Sequence, residues 1–342
     1  MSTDDKASTI FNDTFVRPVS FYVSGLSNIP HVQYYYVFLS FIYTVTVVGN
    51  VFLLLVIYLV KTLHTPKYMI VFNLALTDLC GSTALIPKVL DTFLFDRREI
   101  VYEACLSYMF FVVFFGGVQS VTLVALAFDR FIAICFPLRY HSIVTKPTVA
   151  LSLLFMWLFV LSILAATVGL IDRLSFCGSL VIQSFFCDHG PVYHLACNDT
   201  SLNDIMALSV VLAIVFMPLI LIALTYVCIG IALSRIASGV ERLKALKTCA
   251  SHLILVAIFF LPVLGTNIAI WTSYIHPNAR IINSTLTHTI PSLLNPIIYS
   301  LQTEEVLKSI RKLCKNNRLC NITPSRKVTS ISHKKNEFIP DF

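Results

Sequence analysis

An acid and a base stand side by side at residues 129 and 130, near the end of an apolar stretch, in "ALAFDRFIAIC" of residues 125–135. Asp129 and Arg130 can form an ion pair. When such a pair is partly shielded from water, it can act as a latch, because breaking it has a cost that ligand binding must offset. The pair is therefore either a switch or a simple anchor at one end of an apolar segment.

A second acid, Asp78, stands in the middle of the apolar stretch "NLALTDLCG". A charge at the centre of a membrane costs at least about 2.5 kcal/mol, so an acid in that position is a functional candidate. Asn50 and Asn295 lie at comparable depth in two other apolar stretches, which predicts a buried polar cluster between helices. Asp78 either binds a cation or a proton as part of a switch, or is neutral and only holds the helices together.

The elements that position these residues are long apolar stretches. Of the 342 residues, 57% are hydrophobic and 13% are charged, whereas a soluble domain has about 25% charged residues. Crossing a ~30 Å hydrocarbon layer takes roughly 20 helical residues, and a barrel would need shorter alternating segments. Seven stretches are long enough: 34–60, 68–91, 101–131, 148–171, 204–233, 247–274 and 281–301. The sequence predicts an all-α membrane protein, a bundle of seven transmembrane helices.

The positions of the basic residues predict the orientation of the chain. Most of the 25 Lys and Arg residues fall in the tail and in the loops on the same side, which places that side in the cytoplasm and the N-terminus outside. The net charge of +7 lies along a membrane face, so anionic lipid is the expected partner and nucleic acid is not. We expect four regions: an extracellular segment 1–32, the helical domain 33–301, an amphipathic interfacial helix 302–315 and a disordered cytoplasmic tail 316–342.

Covalent modifications are predicted on both sides of the membrane. Asn12 is the favoured glycosylation site. Cys314 lies on the apolar stripe of the interfacial helix, where we expect lipidation; a free thiol is the alternative. Four cysteines fall on the oxidising side and allow three pairings: Cys105, Cys177, Cys187 and Cys197.

A set of motifs runs in fixed order from about residue 35 to residue 315. It comprises Gly49-Asn50, "NLALTDL", Asp129-Arg130-Phe131, Trp157, Pro218 with Tyr226, Pro262 and "NPIIY" of residues 295–299. Together these motifs resemble the rhodopsin-like G-protein-coupled receptors. "LHTPKY", "KALKTCASHL" and the three-cysteine loop "SFCGSLVIQSFFCDHGPVYHLACNDT" are more closely similar to the odorant (olfactory) receptor subfamily.

This resemblance implies a function and a set of site residues. The receptor would bind a small-molecule odorant between the outer halves of its helices and activate a heterotrimeric G protein of the stimulatory type, which raises cyclic AMP. No cofactor is expected. The implied disulfides are Cys105–Cys187 and Cys177–Cys197, and Arg130 would be released from Asp129 on activation. The coupling residues are Asp129, Arg130, Tyr226 and Tyr299, and the buried switch consists of Asn50, Asp78 and Asn295.

The resemblance also implies a ligand pocket one to three helical turns below the outer surface, between the third, fifth, sixth and seventh spans. Depth along the helices selects ten residues: Met109, Val112, Val113, Gly116, Gly117, Phe260, Val263, Asn267, Thr285 and His288. This lining has no carboxylate or fixed cation, which favours an uncharged or weakly polar ligand. Lys88 and Arg173 lie near the rim and could recruit an anion, which is the alternative.

One departure from the subfamily and two other function classes bear on these expectations. Gln119 stands where related receptors commonly carry an acid, so a sodium site at Asp78 would have one charge fewer. A chemoreceptor of the same family that works outside the nose is the alternative. A transporter is disfavoured because the chain shows no internal repeat, and an enzyme because the spans lack catalytic motifs.

Overall fold

A bundle of long helices forms the computed structural model of the chain, which describes residues 16–26, 31–235, 239–271, 276–302 and 306. The long helices are α1 (Val32–Leu59), α2 (Pro66–Leu94), α3 (Tyr102–Cys135), α4 (Lys146–Ile171), α5 (Ser201–Ser234), α6 (Gly239–Trp271) and α7 (Pro277–Gln302). Each overlaps one of the seven predicted stretches, so the predicted fold is confirmed.

Prolines mark the starts and the irregularities of these helices. Pro66 is the first residue of α2. The start of α4 is stabilised in another way, because the hydroxyl of Thr145 accepts a hydrogen bond from the backbone N–H of Thr148. Proline fits the first turn of a helix because backbone N–H groups there have no acceptor within the helix, so the N–H that proline lacks is not needed. In the middle of α5 a π-helical turn at Leu212–Phe216 precedes Pro218, so the helix widens where a backbone donor is missing.

The seventh helix differs from the others in composition. Among the described residues, six helices are long and apolar enough to cross a membrane, and α7 is not one of them. Its polar side chains are buried in the bundle: Thr285, Thr289, Ser292 and Asn295 are each at most 5% exposed. Because lipid offers no hydrogen bonds, these side chains must find partners inside the bundle. Thr285 and Thr289 donate to backbone oxygens of α7 itself, whereas Ser292 and Asn295 donate to Asp78 of α2.

A small sheet covers one end of the bundle, which we call the outer end; the opposite end is the inner end. Strand β1 (Ser20–Val23) pairs antiparallel with β2 (Glu99–Val101) and parallel with β3 (Val181–Ile182). Phe21 and Val23 are buried in a cluster with Tyr102, Phe176 and Ile182. The sequence analysis predicted no strands, because two to four residues are too few to show an alternating pattern.

Two disulfides fix the long loop between α4 and α5. Cys105 at the start of α3 is joined to Cys187, and Cys177 is joined to Cys197 within the loop, with Cα–Cα distances of 5.5 and 6.0 Å. These are the pairs that the family resemblance implies. The first bridge holds the loop across the outer end of the helices.

Some predictions fall on residues outside the described ranges. They are the glycosylation of Asn12, the lipidation of Cys314, nearly all of the interfacial helix 302–315 and the tail 316–342.

We predict that the two disulfides stabilise the protein unequally. They close segments of 82 and 20 residues, for which loop-closure entropy gives about 4.5 and about 3.3 kcal/mol. The double variant Cys105→Ser/Cys187→Ser should therefore lower the melting temperature of the purified protein more than Cys177→Ser/Cys197→Ser does. Cys80→Ser, which removes a free thiol in α2, is the control and should change it little. Equal or reversed effects of the two double variants contradict this ranking.

Candidate functional site

A cavity of about 1050 Å³ opens at the outer end, between α3, α4, α5, α6, α7 and the long loop. Its volume is in the range of small-molecule sites. Five of the residues selected by depth line it: Met109 and Val113 of α3, Val263 and Asn267 of α6, and His288 of α7. His288 also packs edge-on against Phe186 of the loop, with ring centroids 5.8 Å apart. This part of the expected pocket is thus assembled from three helices.

The other five residues selected by depth are not among the lining residues. Val112 is buried in a cluster with Leu85 and Ile86 of α2. A Cβ at Gly117 would lie 2.8 Å from Val160, so this glycine allows close packing of α3 against α4. Gly116 is closer to the cavity, because a Cβ there would lie 4.0 Å from Nδ1 of His288.

Phe260 and Thr285 likewise lie apart from the cavity. Phe260 belongs to the hydrophobic cluster at the inner half of the bundle, and the buried Thr285 hydroxyl donates to the backbone oxygen of Ile281 at 2.9 Å. The depth of a residue along a helix does not determine which way its side chain points, because successive side chains are rotated by about 100° around the helix axis. Selection by depth therefore mixed residues of two faces.

The outer part of the cavity is polar, contrary to the expectation of a lining without charge. Asp188, His189, Asp204 and Arg280 line it, and the hydroxyl of Tyr193 donates to Oδ1 of Asp204 at 2.8 Å. The expectation was wrong because these residues come from the long loop and from the first turns of α5 and α7. Counting inward from Cys105 does not reach them.

Burial in the loop changes the ionisation of two of these groups. It lowers the pKa of His189 to about 4, an effect that the nearby His194 strengthens and Asp204 opposes. Burial also raises the pKa of Asp188, while Arg280 acts in the opposite direction. His189 is therefore neutral at physiological pH.

The predicted buried polar cluster is brought together around Ser292. Asp78 accepts hydrogen bonds from Asn295 at 2.8 Å and from the Ser292 hydroxyl at 3.3 Å. Asn50 donates to the backbone oxygen of Ser292 at 2.9 Å, and the side-chain amide of Gln119 donates to the Ser292 hydroxyl at 3.4 Å. One residue of α7 thus meets residues of α1, α2 and α3, the first through its backbone oxygen and the other two through its side chain.

This cluster fits a sodium ion poorly. Both oxygens of Asp78 already accept hydrogen bonds, and Gln119 directs its NH₂ group, which cannot ligate a cation, to Ser292 and to the backbone oxygen of Thr77. Nowhere in the described part of the chain do three His, Cys, Asp or Glu residues form a metal-binding group. The arrangement suits a role in holding the helices together.

At the inner end, the strongest contact of Asp129 is with Tyr140 and not with Arg130. Asp129 is 2% exposed, and its Oδ1 accepts a hydrogen bond from the Tyr140 hydroxyl at 2.7 Å. Its Oδ2 lies 3.9 Å from Nε of Arg130 and has no hydrogen-bond partner among the described residues. The expected ion pair between Asp129 and Arg130 is therefore present, but the two groups are too far apart for a hydrogen bond. The sequence analysis missed Tyr140, which follows ten residues after Arg130 on the next short helix, Tyr140–Ile143.

A second inner contact joins three helices. Nδ1 of His252 in α6 lies 2.8 Å from the hydroxyl of Tyr226 in α5, and its Nε2 lies 3.2 Å from the backbone oxygen of Leu123 in α3. Because a carbonyl can only accept, we assign the proton to Nε2, so that Nδ1 accepts from Tyr226. Tyr299 of α7 is buried at the same end. The sequence analysis missed His252, although it stands within the motif "KALKTCASHL".

Comparison with known proteins agrees with this architecture. A family model described as olfactory receptor matches residues 39–317. Olfactory receptor 51F2 of Homo sapiens is 35% identical over 309 residues, which cover 89% of this chain and 90% of that protein. Olfactory receptor 1 of Rattus norvegicus is 36% identical over 314 residues, which cover 88% and 96% respectively.

The structural comparison supports the same fold. A crystal structure of squid rhodopsin superposes with a TM-score of 0.70 at 17% sequence identity, covering 86% of this chain and 89% of that one. With its apolar helices, the chain is a multi-pass membrane protein. As the motifs predicted, it belongs to the olfactory receptor family of G-protein-coupled receptors, which are signalling receptors and not enzymes.

Proposed function

We propose that this protein is an odorant receptor that binds a small molecule in the outer cavity and activates a heterotrimeric G protein at the inner end. The G protein is of the stimulatory, olfactory type and raises cyclic AMP. The observation that carries the proposal is that α3, α5 and α6 line the cavity at one end and are joined by the His252 contacts at the other. A ligand and a G protein therefore act on the same helices.

The cavity favours a ligand of mixed character. The residues of α3 and Val263 of α6 are apolar, and the long loop contributes charged and polar groups. Helices α6 and α7 add neutral polar side chains between them: Thr266, Asn267, Ser284, Thr287 and His288. An apolar body is stabilised by removal from water, and a few fixed polar groups set its orientation.

Activation requires that the ligand binds the active conformation of the receptor more tightly than the resting conformation. A ligand shifts a conformational equilibrium only by as much as its binding differs between the states. At the inner end, the contacts of His252, Tyr226 and Asp129 hold the resting arrangement, and Arg130 is 16% exposed there. When the inner end of α6 moves away, Arg130 becomes available to the G protein.

The membrane orientation belongs to the same proposal. The outer end with its disulfides faces the extracellular side of the plasma membrane, where disulfides persist. The inner end faces the cytoplasm, and the basic residues of its loops contact anionic lipid.

The coupling role of Arg130 is tested by Arg130→Ala. We expect normal amounts of protein at the cell surface but loss of ligand-driven cyclic AMP, because the freed guanidinium is the group offered to the G protein. Arg139→Ala, on the adjacent inner loop, is the control and should keep most of the response. Undiminished cyclic AMP in Arg130→Ala refutes the role.

The position of the ligand is tested by Asn267→Ala and His288→Ala. Loss of a hydrogen bond or packing contact with the ligand should shift the half-maximal concentration of an activating odorant about tenfold, or roughly 1.4 kcal/mol. Thr285→Ala serves as the control, because Thr285 is buried in α7 and does not line the cavity. If neither variant shifts any odorant while surface expression is preserved, the ligand binds elsewhere.

The inner contact is tested by His252→Phe, which keeps the ring but removes both hydrogen bonds. Each bond contributes about 1 kcal/mol, so losing two favours the open arrangement by roughly tenfold or more. Ligand-free cyclic AMP should rise, and Tyr226→Phe should raise it less. His141→Phe, an exposed inner-loop histidine, is the control. A fall in basal signalling with normal surface expression shows that His252 does not restrain the receptor.

A further inference from the structure

One polar atom beside the cavity has no partner. Nε2 of His189 is buried from water and makes no hydrogen bond with any described residue. A buried polar group without a partner costs about 1–3 kcal/mol, so such a group in a native structure requires an explanation.

His189 is held in place at the outer end of the cavity. It begins the short helix His189–Tyr193, two residues after the disulfide at Cys187. Its ring packs against the Tyr193 ring, with centroids 4.9 Å apart, and Tyr193 in turn donates to Asp204 of α5. A position fixed by a disulfide, a ring contact and a hydrogen bond is suited to recognising a ligand group.

We infer that His189 is a specificity-determining residue, whose Nε2 forms a hydrogen bond with a hydroxyl group at the outer end of the ligand. This inference rests on the proposed function and names the class of ligand: an alcohol or phenol with an apolar body. The apolar body lies toward Met109, Val113 and Val263, and the hydroxyl lies under the long loop.

A hydroxyl fits this position better than other polar groups. It both donates and accepts, so it satisfies Nε2 in either tautomer of a neutral imidazole. A ligand carboxylate would meet two acids, Asp188 and Asp204, against one guanidinium, that of Arg280. An ammonium group would be attracted by the two acids, but it would also meet Arg280 and lose its hydration, and that loss is far more costly than the loss for a neutral hydroxyl.

The test uses the full chain in cells, a cyclic AMP readout and a matched panel. The panel contains straight-chain and phenyl-substituted alcohols of six to ten carbons, with the methyl ether, carboxylic acid and amine of each. For the unchanged receptor, the alcohols should be the most potent members. His189→Phe should weaken the alcohols about tenfold and the ethers less, because an ether oxygen can accept but cannot donate. His189→Gln, which can still hydrogen-bond, should keep most of the alcohol potency. His276→Phe, an exposed outer histidine that does not line the cavity, is the control and should have little effect.

The outcomes separate this inference from the proposal on which it rests. Acids, amines or ethers that act more potently than the alcohols contradict it, and so does an alcohol response that His189→Phe leaves unchanged, which would mean that no ligand group bonds to Nε2. In both cases the receptor still signals, and the proposed function stands. If the surface-expressed protein responds to no member of this panel or of a wider odorant panel, both are overturned.

Discussion

The hydrogen bonds of the buried Asp78 fix how the helices face one another. Lipid cannot satisfy a carboxylate or an amide, so Asp78, Asn295 and Ser292 must meet inside the bundle. Their meeting fixes the rotation of α7. His288, Ser292, Asn295 and Tyr299 follow at steps of four, three and four residues and share one face of that helix. The bonds that bury Asp78 therefore also place His288 at the cavity and Tyr299 at the inner end.

The two ends of the bundle are held by interactions of different strength. At the outer end a covalent bond from Cys105 to Cys187 and a three-stranded sheet hold the loop and the helix starts. At the inner end, beside the hydrophobic cluster of that half, hydrogen bonds run from Tyr140 to Asp129 and from Tyr226 through His252 to Leu123. Each contributes about 1 kcal/mol, an amount that binding of a small molecule can offset. Ligand binding at the outer end can thus change the arrangement of the helices at the inner end.

The sequence predicted the parts of this structure that depend on composition and on short motifs. The seven helices follow from the length of apolar stretches, and Asn50, Asp78 and Asn295 were expected to meet because equal depth in lipid demands it. The outer sheet, Tyr140 and His189 depend on how distant loops fold back on the bundle, which no local pattern encodes. Val112 and Thr285 were misplaced for a related reason, since their direction is set by the packing of α1, α2 and α3.

The central claim is that a ligand in the outer cavity separates the inner ends of α3 and α6. The most direct test is a distance measurement between spin labels attached to genetically encoded keto amino acids in place of Phe136 and Leu246, both of which are exposed near those ends. We expect the distance distribution to move outward by several ångströms when a saturating activating odorant is added, and His252→Phe to populate the longer distance without ligand. An unchanged distribution in the presence of an odorant that raises cyclic AMP would contradict the account.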